Sequence, residues 1–133
     1  STTDASNGKP LGTLSESTDR ADFDVTTITG AEEYLISYAK ERWGCDVVFY
    51  TGSYYEAPAY AEMVEGIKKV CDKWDAGLVN LWDNQEMTGI YGTDEYKEYM
   101  PMDGIHPNKD GYCKWWGPEF EKYLNEYLAG ATK

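Results

Sequence analysis

The only histidine of this 133-residue sequence, His106, follows Asp103 by three positions in a turn-rich segment. An imidazole held at one ring nitrogen by a carboxylate keeps its other nitrogen free to accept a proton, as a general base does. The surrounding Asp-Gly and His-Pro-Asn sequences are also typical of turns, so a purely structural loop ahead of a helix is the alternative. The spacing predicts a base and its orienting acid at His106 and Asp103.

A base of this kind requires a nucleophile, and no serine of the sequence has a strong context. Ser53 is the best candidate because it follows a predicted strand through Gly52, but the Gly-x-Ser-x-Gly pattern of a nucleophile elbow is absent. A turn serine is the commoner explanation. The cysteines lie in apolar contexts where a reactive thiolate is not expected. They are interpreted as buried structural thiols, with one disulfide as the alternative: Cys45, Cys71 and Cys113.

Charge and composition narrow the classes of partner. Twelve Lys and Arg against 24 Asp and Glu give a formal net charge of -12. This charge repels phosphate backbones and anionic lipid, so neither nucleic acid nor a membrane surface is an expected partner. The one histidine and the dispersed carboxylates do not have the spacing of a metal-binding motif. No cofactor is expected. No apolar run reaches the roughly 20 residues that cross a bilayer, so we expect a soluble protein, secreted or cytoplasmic.

The elements that must position the pair begin late in the chain. Residues 1–28 show no useful period and are interpreted as a long surface excursion. Thr29 and Glu32 have the spacing of a capping box, which predicts a helix from there to about Trp43, ended by Gly44. Its apolar stripe is predicted to contain Ala31, Tyr34, Leu35, Tyr38 and Ala39. Residues 46–51 then predict a strand buried on both faces.

The second half repeats the alternation. Pro58 suits the first turn of a second helix, whose apolar positions run from Tyr60 to Trp74. Residues 77–83 predict a second buried strand. A short helix over residues 94–100, capped by Thr93, is expected next, and the last helix over about residues 110–129 should kink where Pro118 removes a backbone bond. The helix, strand, helix, strand order predicts a right-handed parallel pair of strands.

Two strands with three principal helices leave open sheet edges and uncovered helix faces. Either the chain dimerises to complete the sheet, or further strands belong ahead of Ser1. Because the sequence begins without Met, we expect a processed product or a piece of something longer.

Residues 103–108, followed by Gly111, Tyr112 and an aromatic-rich closing helix, resemble the last conserved block of the SGNH (GDSL) hydrolase family of esterases and lipases. The same register extends back through both strands to Thr3, Asp4 and Ala5, which stand where that family has its Gly-x-Asn-Asp block. The resemblance implies a three-layer, flavodoxin-like α/β fold with a parallel sheet. Residues 1–133 would be the C-terminal part of that domain and supply its last two strands and flanking helices.

The resemblance also implies roles. His106 would deprotonate a serine, and Asp103 would orient the imidazole and stabilise its protonated form. The family's oxyanion-stabilising Asn falls at Thr3, whose hydroxyl can donate a hydrogen bond but is shorter than an amide. The Gly-Asp-Ser block that bears the nucleophile belongs upstream of Ser1. An N-terminal segment of the same domain is therefore the implied partner, and this chain alone is predicted to be inactive.

Aromatic residues make up 15% of the sequence and suggest the substrate. Rings that stack on sugars favour an acetylated polysaccharide as the ester substrate, with a lysophospholipid or a short acyl ester as alternatives. Most of these rings could instead belong to the core. The competing function is a hydrolase-like module that has lost its nucleophile and binds a glycan or a protein. The aromatic residues expected near the site are Tyr54, Tyr55, Trp82, Tyr91, Trp115 and Trp116.

Overall fold

The computed structural model describes residues 1–130 and shows a mixed α/β structure, as the sequence predicts. Its two strands form a parallel pair. The helices are α1 Thr2–Ser6, α2 Ile28–Trp43, α3 Pro58–Trp74, α4 Gln85–Gly89, α5 Asp94–Tyr99 and α6 Gly117–Leu128, and the strands are β1 Val48–Tyr50 and β2 Gly77–Val79. A 3₁₀ turn at Arg20–Asp22 and a π-helical segment at Gly111–Trp116 complete the elements. None of the helices in this part of the chain is long and apolar enough to span a membrane.

The chain divides into two compact units. The first unit contains Ser1–Phe49 and Ala57–Leu78, and the second contains Tyr50–Glu56 and the chain from Val79 onward. The core of the first unit lies between α2 and α3 and includes Ile36, Ile67, Val70, Cys71 and Ala76. The second unit contains His106 and all six aromatic residues expected near the site.

Helix α3 matches its prediction. Pro58 occupies the first turn, where a missing N–H costs nothing. All but one of the predicted apolar positions are buried, namely Tyr60, Met63, Val64, Ile67, Val70 and Cys71. The 3.6-residue period was therefore sufficient to identify the buried face of this helix.

Helix α2 ends at Gly44 as predicted, with a φ of 59° that favours glycine, but its start differs. The N-cap is Thr27, whose side chain accepts a hydrogen bond from the amide of Gly30 at 3.2 Å. The predicted capping box of Thr29 and Glu32 is therefore wrong. Glycine is needed at position 30 because a Cβ there would collide with the carbonyl oxygen of Asp24.

The predicted apolar stripe of α2 is also wrong. Tyr34, Leu35 and Tyr38 are exposed. The guanidinium of Arg20 lies over the rings of both tyrosines, 5.4 Å from the centroid of Tyr38. The buried face instead contains Ile28, Thr29, Gly30, Glu33, Ile36 and Ser37. A hydrophobic period cannot identify a face that has a charged residue at its centre.

That charged residue, Glu33, is 0% exposed and is fully paired. Its carboxylate accepts hydrogen bonds from the Lys73 ammonium at 2.5 Å, the Trp74 indole N–H at 3.1 Å and the Ser15 amide at 2.9 Å. Lys73 also donates to the carbonyl oxygens of Ser15 and Ser17, both at 2.6 Å. This network joins α2, the end of α3 and the segment before α2, because a buried charge is tolerated only when it is paired.

We expect Lys73→Met to lower the free energy of unfolding by about 3–5 kcal/mol, because it leaves the buried Glu33 carboxylate unpaired. Urea unfolding measures the change. Lys69→Met, at an exposed position of the same helix, is the matched control and should change stability little. The double variant Glu33→Gln/Lys73→Met should recover part of the loss. Equal effects of the two lysine substitutions would contradict this role for Lys73.

Glu32, beside Glu33, is in the opposite situation. Its Oε2 atom is buried and has no hydrogen-bond partner within residues 1–130. Burial raises the pKa of Glu32 to about 7, with the Ser1 amino group opposing and Asp4 reinforcing the change. The folded protein therefore binds a proton here that the unfolded chain has already released, between the ordinary pKa of 4.5 and about 7.

Because of this proton uptake, stability should fall as the pH rises from about 4.5 to 7 and stay lower above that range. The expected amplitude is on the order of 2 kcal/mol, since one pKa unit corresponds to about 1.4 kcal/mol and the site is partly solvated. Glu32→Gln should remove this slope and be more stable than the parent above pH 7. Urea titrations at several pH values test this, with Glu62→Gln at an exposed position of α3 as control. A slope that survives in Glu32→Gln would refute the assignment.

Residues 1–28 are more ordered than predicted. Ser1 and Asp4 form a capping box at the start of α1. Phe23 is buried and meets the ring of Trp74 edge-on at 5.9 Å. The interpretation as a long surface excursion fits, since most of the segment is exposed, but Lys73 holds it in place through bonds to backbone carbonyls that no local period reveals.

The strands lie where predicted but are shorter. Val47 accepts a hydrogen bond from the amide of Gly77 at 2.9 Å, and the amide of Thr51 donates to Val79 at 3.0 Å. β1 is only partly buried, and Tyr50 is 61% exposed. The prediction of burial on both faces is therefore wrong for β1.

The second unit contains one helix that the sequence did not predict. This helix, α4, is capped by Asn84, whose side chain accepts from the amides of Glu86 and Met87. Helix α5 and its Thr93 cap are as predicted. In the last helical region Trp116 is buried, but Tyr112 and Leu124 of the predicted apolar side are exposed.

The cysteines are all unpaired. Cys71 is buried, and burial raises its pKa to about 12. Cys45 and Cys113 are exposed, so their prediction as buried thiols is wrong.

Candidate active site

The predicted pair, Asp103 and His106, is brought together by a local turn. One carboxylate oxygen of Asp103, Oδ1, accepts hydrogen bonds from the backbone amides of Ile105 and His106, each at 2.9 Å. Gly104 has a φ of +70°, a conformation that costs glycine nothing. The loop is therefore closed by Asp103, by Gly104 and by the three-residue spacing between Asp103 and His106, as is usual for Asx turns.

The second carboxylate oxygen, Oδ2, lies 2.7 Å from Nδ1 of His106. The hydrogen bond from the His106 ring, together with the amides of His106 and Ile105, holds the pKa of Asp103 well below its usual range. The carboxylate is therefore ionised near neutral pH, and Nδ1 must carry the proton that it donates. Nε2 is left as the proton acceptor on a side chain that is 65% exposed. The arrangement is that of a general base oriented by an acid.

Helix α5 holds the first half of this loop. The Tyr96 hydroxyl donates to the carbonyl oxygen of Gly104 at 2.8 Å. The Tyr96 side chain is buried, and burial raises its pKa to about 12, so it remains a neutral donor. Sequence reasoning did not identify Tyr96, because nothing in its spacing links it to Gly104.

Asn108 holds the other end. Its backbone amide donates to Tyr99 at 2.8 Å, and its side-chain amide donates to Glu98 at 2.7 Å, both through carbonyl oxygens at the end of α5. Its side-chain oxygen accepts from the amide of Gly111 at 2.8 Å. Glycine is required at 111, since a Cβ would lie 2.8 Å from both the Tyr99 carbonyl oxygen and Pro107.

The residues after the loop form a π-helical segment rather than the start of a regular α-helix. The amide of Gly117 donates to Tyr112, five residues earlier, ahead of Pro118. Trp115 stacks on Tyr99 at a centroid distance of 5.6 Å, while the next residue, Trp116, is buried. Pro118 indicated an irregularity here, but its form was not predictable from the proline alone. Segments of this kind are frequent at functional sites.

Ser53 is not available as a nucleophile. Its side chain is 3% exposed, and its hydroxyl accepts a hydrogen bond from the Trp116 indole N–H at 3.3 Å. The turn-serine interpretation therefore fits better. Thr3 lies in α1 of the first unit, whereas Asp103 and His106 belong to the second. Of the predicted site residues, the local turn joins only the acid and the base.

Five of the six aromatic residues expected near the site, all but Trp116, form a continuous series in the second unit together with Tyr96. Tyr54 contacts Trp82 at 5.0 Å and Tyr91 at 5.1 Å. Tyr91 contacts Tyr96 at 5.0 Å, and Tyr96 contacts Trp115 at 5.9 Å. Trp82 and Tyr96 are buried, while Tyr91 is at the surface. The series is thus partly core and partly surface, and it ends beside the loop that carries His106.

Within residues 1–130, no cluster of three or more His, Cys, Asp or Glu side chains is placed to hold a metal ion. No protein-family model, curated protein or solved structure matches this chain.

We expect Asp103→Asn to change which nitrogen of neutral His106 carries the proton. A carboxamide has one acceptor oxygen and cannot serve both the backbone amides and the ring, so the preference for protonated Nδ1 should be lost. Because the chain has one histidine, long-range ¹H–¹⁵N correlation spectra report on it without ambiguity. Asp110→Asn, which removes an exposed carboxylate four residues after His106, is the control. An unchanged spectrum in Asp103→Asn would contradict the assigned hydrogen bond.

Proposed function

We propose that this chain is the C-terminal part of an SGNH-type carboxylic ester hydrolase in which Asp103 and His106 serve a serine nucleophile on an N-terminal segment of the same domain. The observation that carries the proposal is the 2.7 Å bond from His106 Nδ1 to Asp103 Oδ2, in a carboxylate whose other oxygen is occupied by two amides. The acid is thus held in place, and the exposed base presents Nε2.

In this mechanism Nε2 of His106 takes the proton of the serine hydroxyl as its oxygen attacks the ester carbonyl carbon. Asp103 remains ionised and stabilises the imidazolium. The imidazolium then gives its proton to the departing alcohol, and an acyl-enzyme remains. Water, deprotonated by the same nitrogen, releases the acid and restores the serine.

The proposal also includes the remaining strands of the sheet and the donor to the oxyanion. The N-terminal segment would add strands to the parallel sheet and complete the three-layer fold. In a parallel pair alternate residues face the partner strand, so the bonds of Val47 and Thr51 with β2 leave the backbone groups of Val48 and Tyr50 directed to the other edge of β1. Thr3 would donate to the oxyanion. A donor of this kind is typically worth about 10²- to 10³-fold in rate.

The proposed substrate is an ester of a carbohydrate, such as an acetylated polysaccharide. Tyr91 and Trp115 belong to the aromatic series that ends beside the base loop, and planar rings can stack on sugar rings. The formal charge of -12 favours a neutral polymer over an anionic one.

The test compares this chain with a version extended upstream through the nucleophile segment. A serine-reactive fluorophosphonate should label the extended protein at its new serine and leave this chain unlabelled. His106→Ala and Asp103→Asn should each lower kcat by about 10⁴-fold, while Asp110→Asn should not. Labelling of this chain at Ser53 would overturn the proposal.

Substrate class is decided with the same extended protein. Release of acetate from acetylated xylan should exceed hydrolysis of an eight-carbon acyl ester, and the reverse order would indicate a lipase-like substrate. An extended protein that binds xylan oligosaccharides but hydrolyses neither ester would support the competing interpretation as a binding module.

A further inference from the structure

We propose that Asn108 is a positioning residue that fixes the base loop, residues 103–106, against the end of α5. Its catalytic consequence rests on the proposed function, whereas its effect on the loop does not.

The bonds inside the base loop set its shape but not its location. Within residues 1–130, the Asp103 carboxylate bonds only to Ile105 and His106, which are themselves members of the loop. Both side chains of the pair are well exposed, at 47% for Asp103 and 65% for His106, so surrounding side chains confine them little. A base that must meet a nucleophile on another segment needs a fixed location as well as a fixed shape.

Asn108 supplies contacts to two neighbouring elements at once. The last carbonyl groups of a helix lack partners within the helix, and those of Glu98 and Tyr99 are both satisfied by Asn108. The oxygen of the same carboxamide accepts from Gly111, at the beginning of the π-helical segment. Only a side chain with both a donor and an acceptor can do this. An aspartate cannot donate, and a serine is too short to reach both partners.

The end of α5, to which the base loop is attached, is itself held in place by ring contacts. Trp115 stacks on Tyr99 with an interplanar angle of 16° and meets Tyr96 edge-on. Tyr96 provides the second attachment, through its hydroxyl bond to Gly104. The base loop is therefore attached to α5 near both ends, and Asn108 is the attachment adjacent to the histidine side.

Loss of the two side-chain bonds of Asn108, with its backbone bond to Tyr99 retained, should loosen the base loop without breaking the bond between Asp103 and His106. We expect Asn108→Ser to keep protonated Nδ1 in neutral His106 while the backbone order parameters of residues 104–106 fall from about 0.85 to below about 0.6. In the extended protein kcat should fall by up to about 10²-fold with little change in KM.

The matched control is Asn84→Ser. Asn84 also caps a helix through its side-chain oxygen and also donates to a second element, the carboxylate of Glu119 at 2.9 Å. Asn84→Ser should lower the stability by a similar amount and leave the order parameters of the base loop and kcat unchanged. Asn108→Asp keeps the acceptor for Gly111 and removes the donor to Glu98, so it tests the same bond if Asn108→Ser does not fold.

Amide ¹⁵N relaxation of this chain decides the inference without any activity. Order parameters in Asn108→Ser and Asn108→Asp equal to those of the parent, or a base loop that is already mobile in the parent, would overturn it. An extended protein that is inactive whatever residue stands at 108 would refute the proposed function instead.

Discussion

A buried carboxylate constrains the whole first unit. Glu33 has no exposure to solvent, so its charge must be neutralised where it lies. Lys73 from α3 and the amide of Ser15 do this, and Lys73 is in turn satisfied by carbonyl oxygens of the segment before α2. The direction in which α2 faces, and the path of a segment with little regular structure, both follow from this one requirement.

In the second unit, neutral groups rather than a buried charge pair hold a segment in place. Its aromatic series brings Tyr96, Tyr99 and Trp115 together, and α5 then offers a hydroxyl and two terminal carbonyl groups to a loop that has few packing contacts of its own. Hydrogen bonds to such orphan carbonyls are inexpensive, because the helix cannot satisfy them itself. A solvent-exposed acid and base can therefore be held in a defined place without being buried.

The exposure of Asp103 and His106 is also consistent with the proposed roles of this acid and base. Asp103 accepts three hydrogen bonds and stays ionised, as an acid that orients an imidazole and stabilises its charge would have to. His106 keeps Nε2 accessible to a group arriving from elsewhere. Ser53, the best nucleophile candidate of the sequence, is instead buried and accepts a hydrogen bond from Trp116.

The sequence alone determined the features that depend on neighbours within about one helical turn. These include the buried face of α3, the glycine that ends α2, the Thr93 cap, and the closure of Asp103 on His106, whose partners are three residues apart. Tertiary structure decided the buried face of α2 and the order of residues 1–28, because Glu33 and Lys73 are partners 40 positions apart. It also decided the π-helical segment, the burial of Ser53 and the attachment of the base loop to α5. Each of these depends on a hydrogen bond or ring contact that becomes possible only after packing has brought separate elements together, and no local pattern of residue types encodes it.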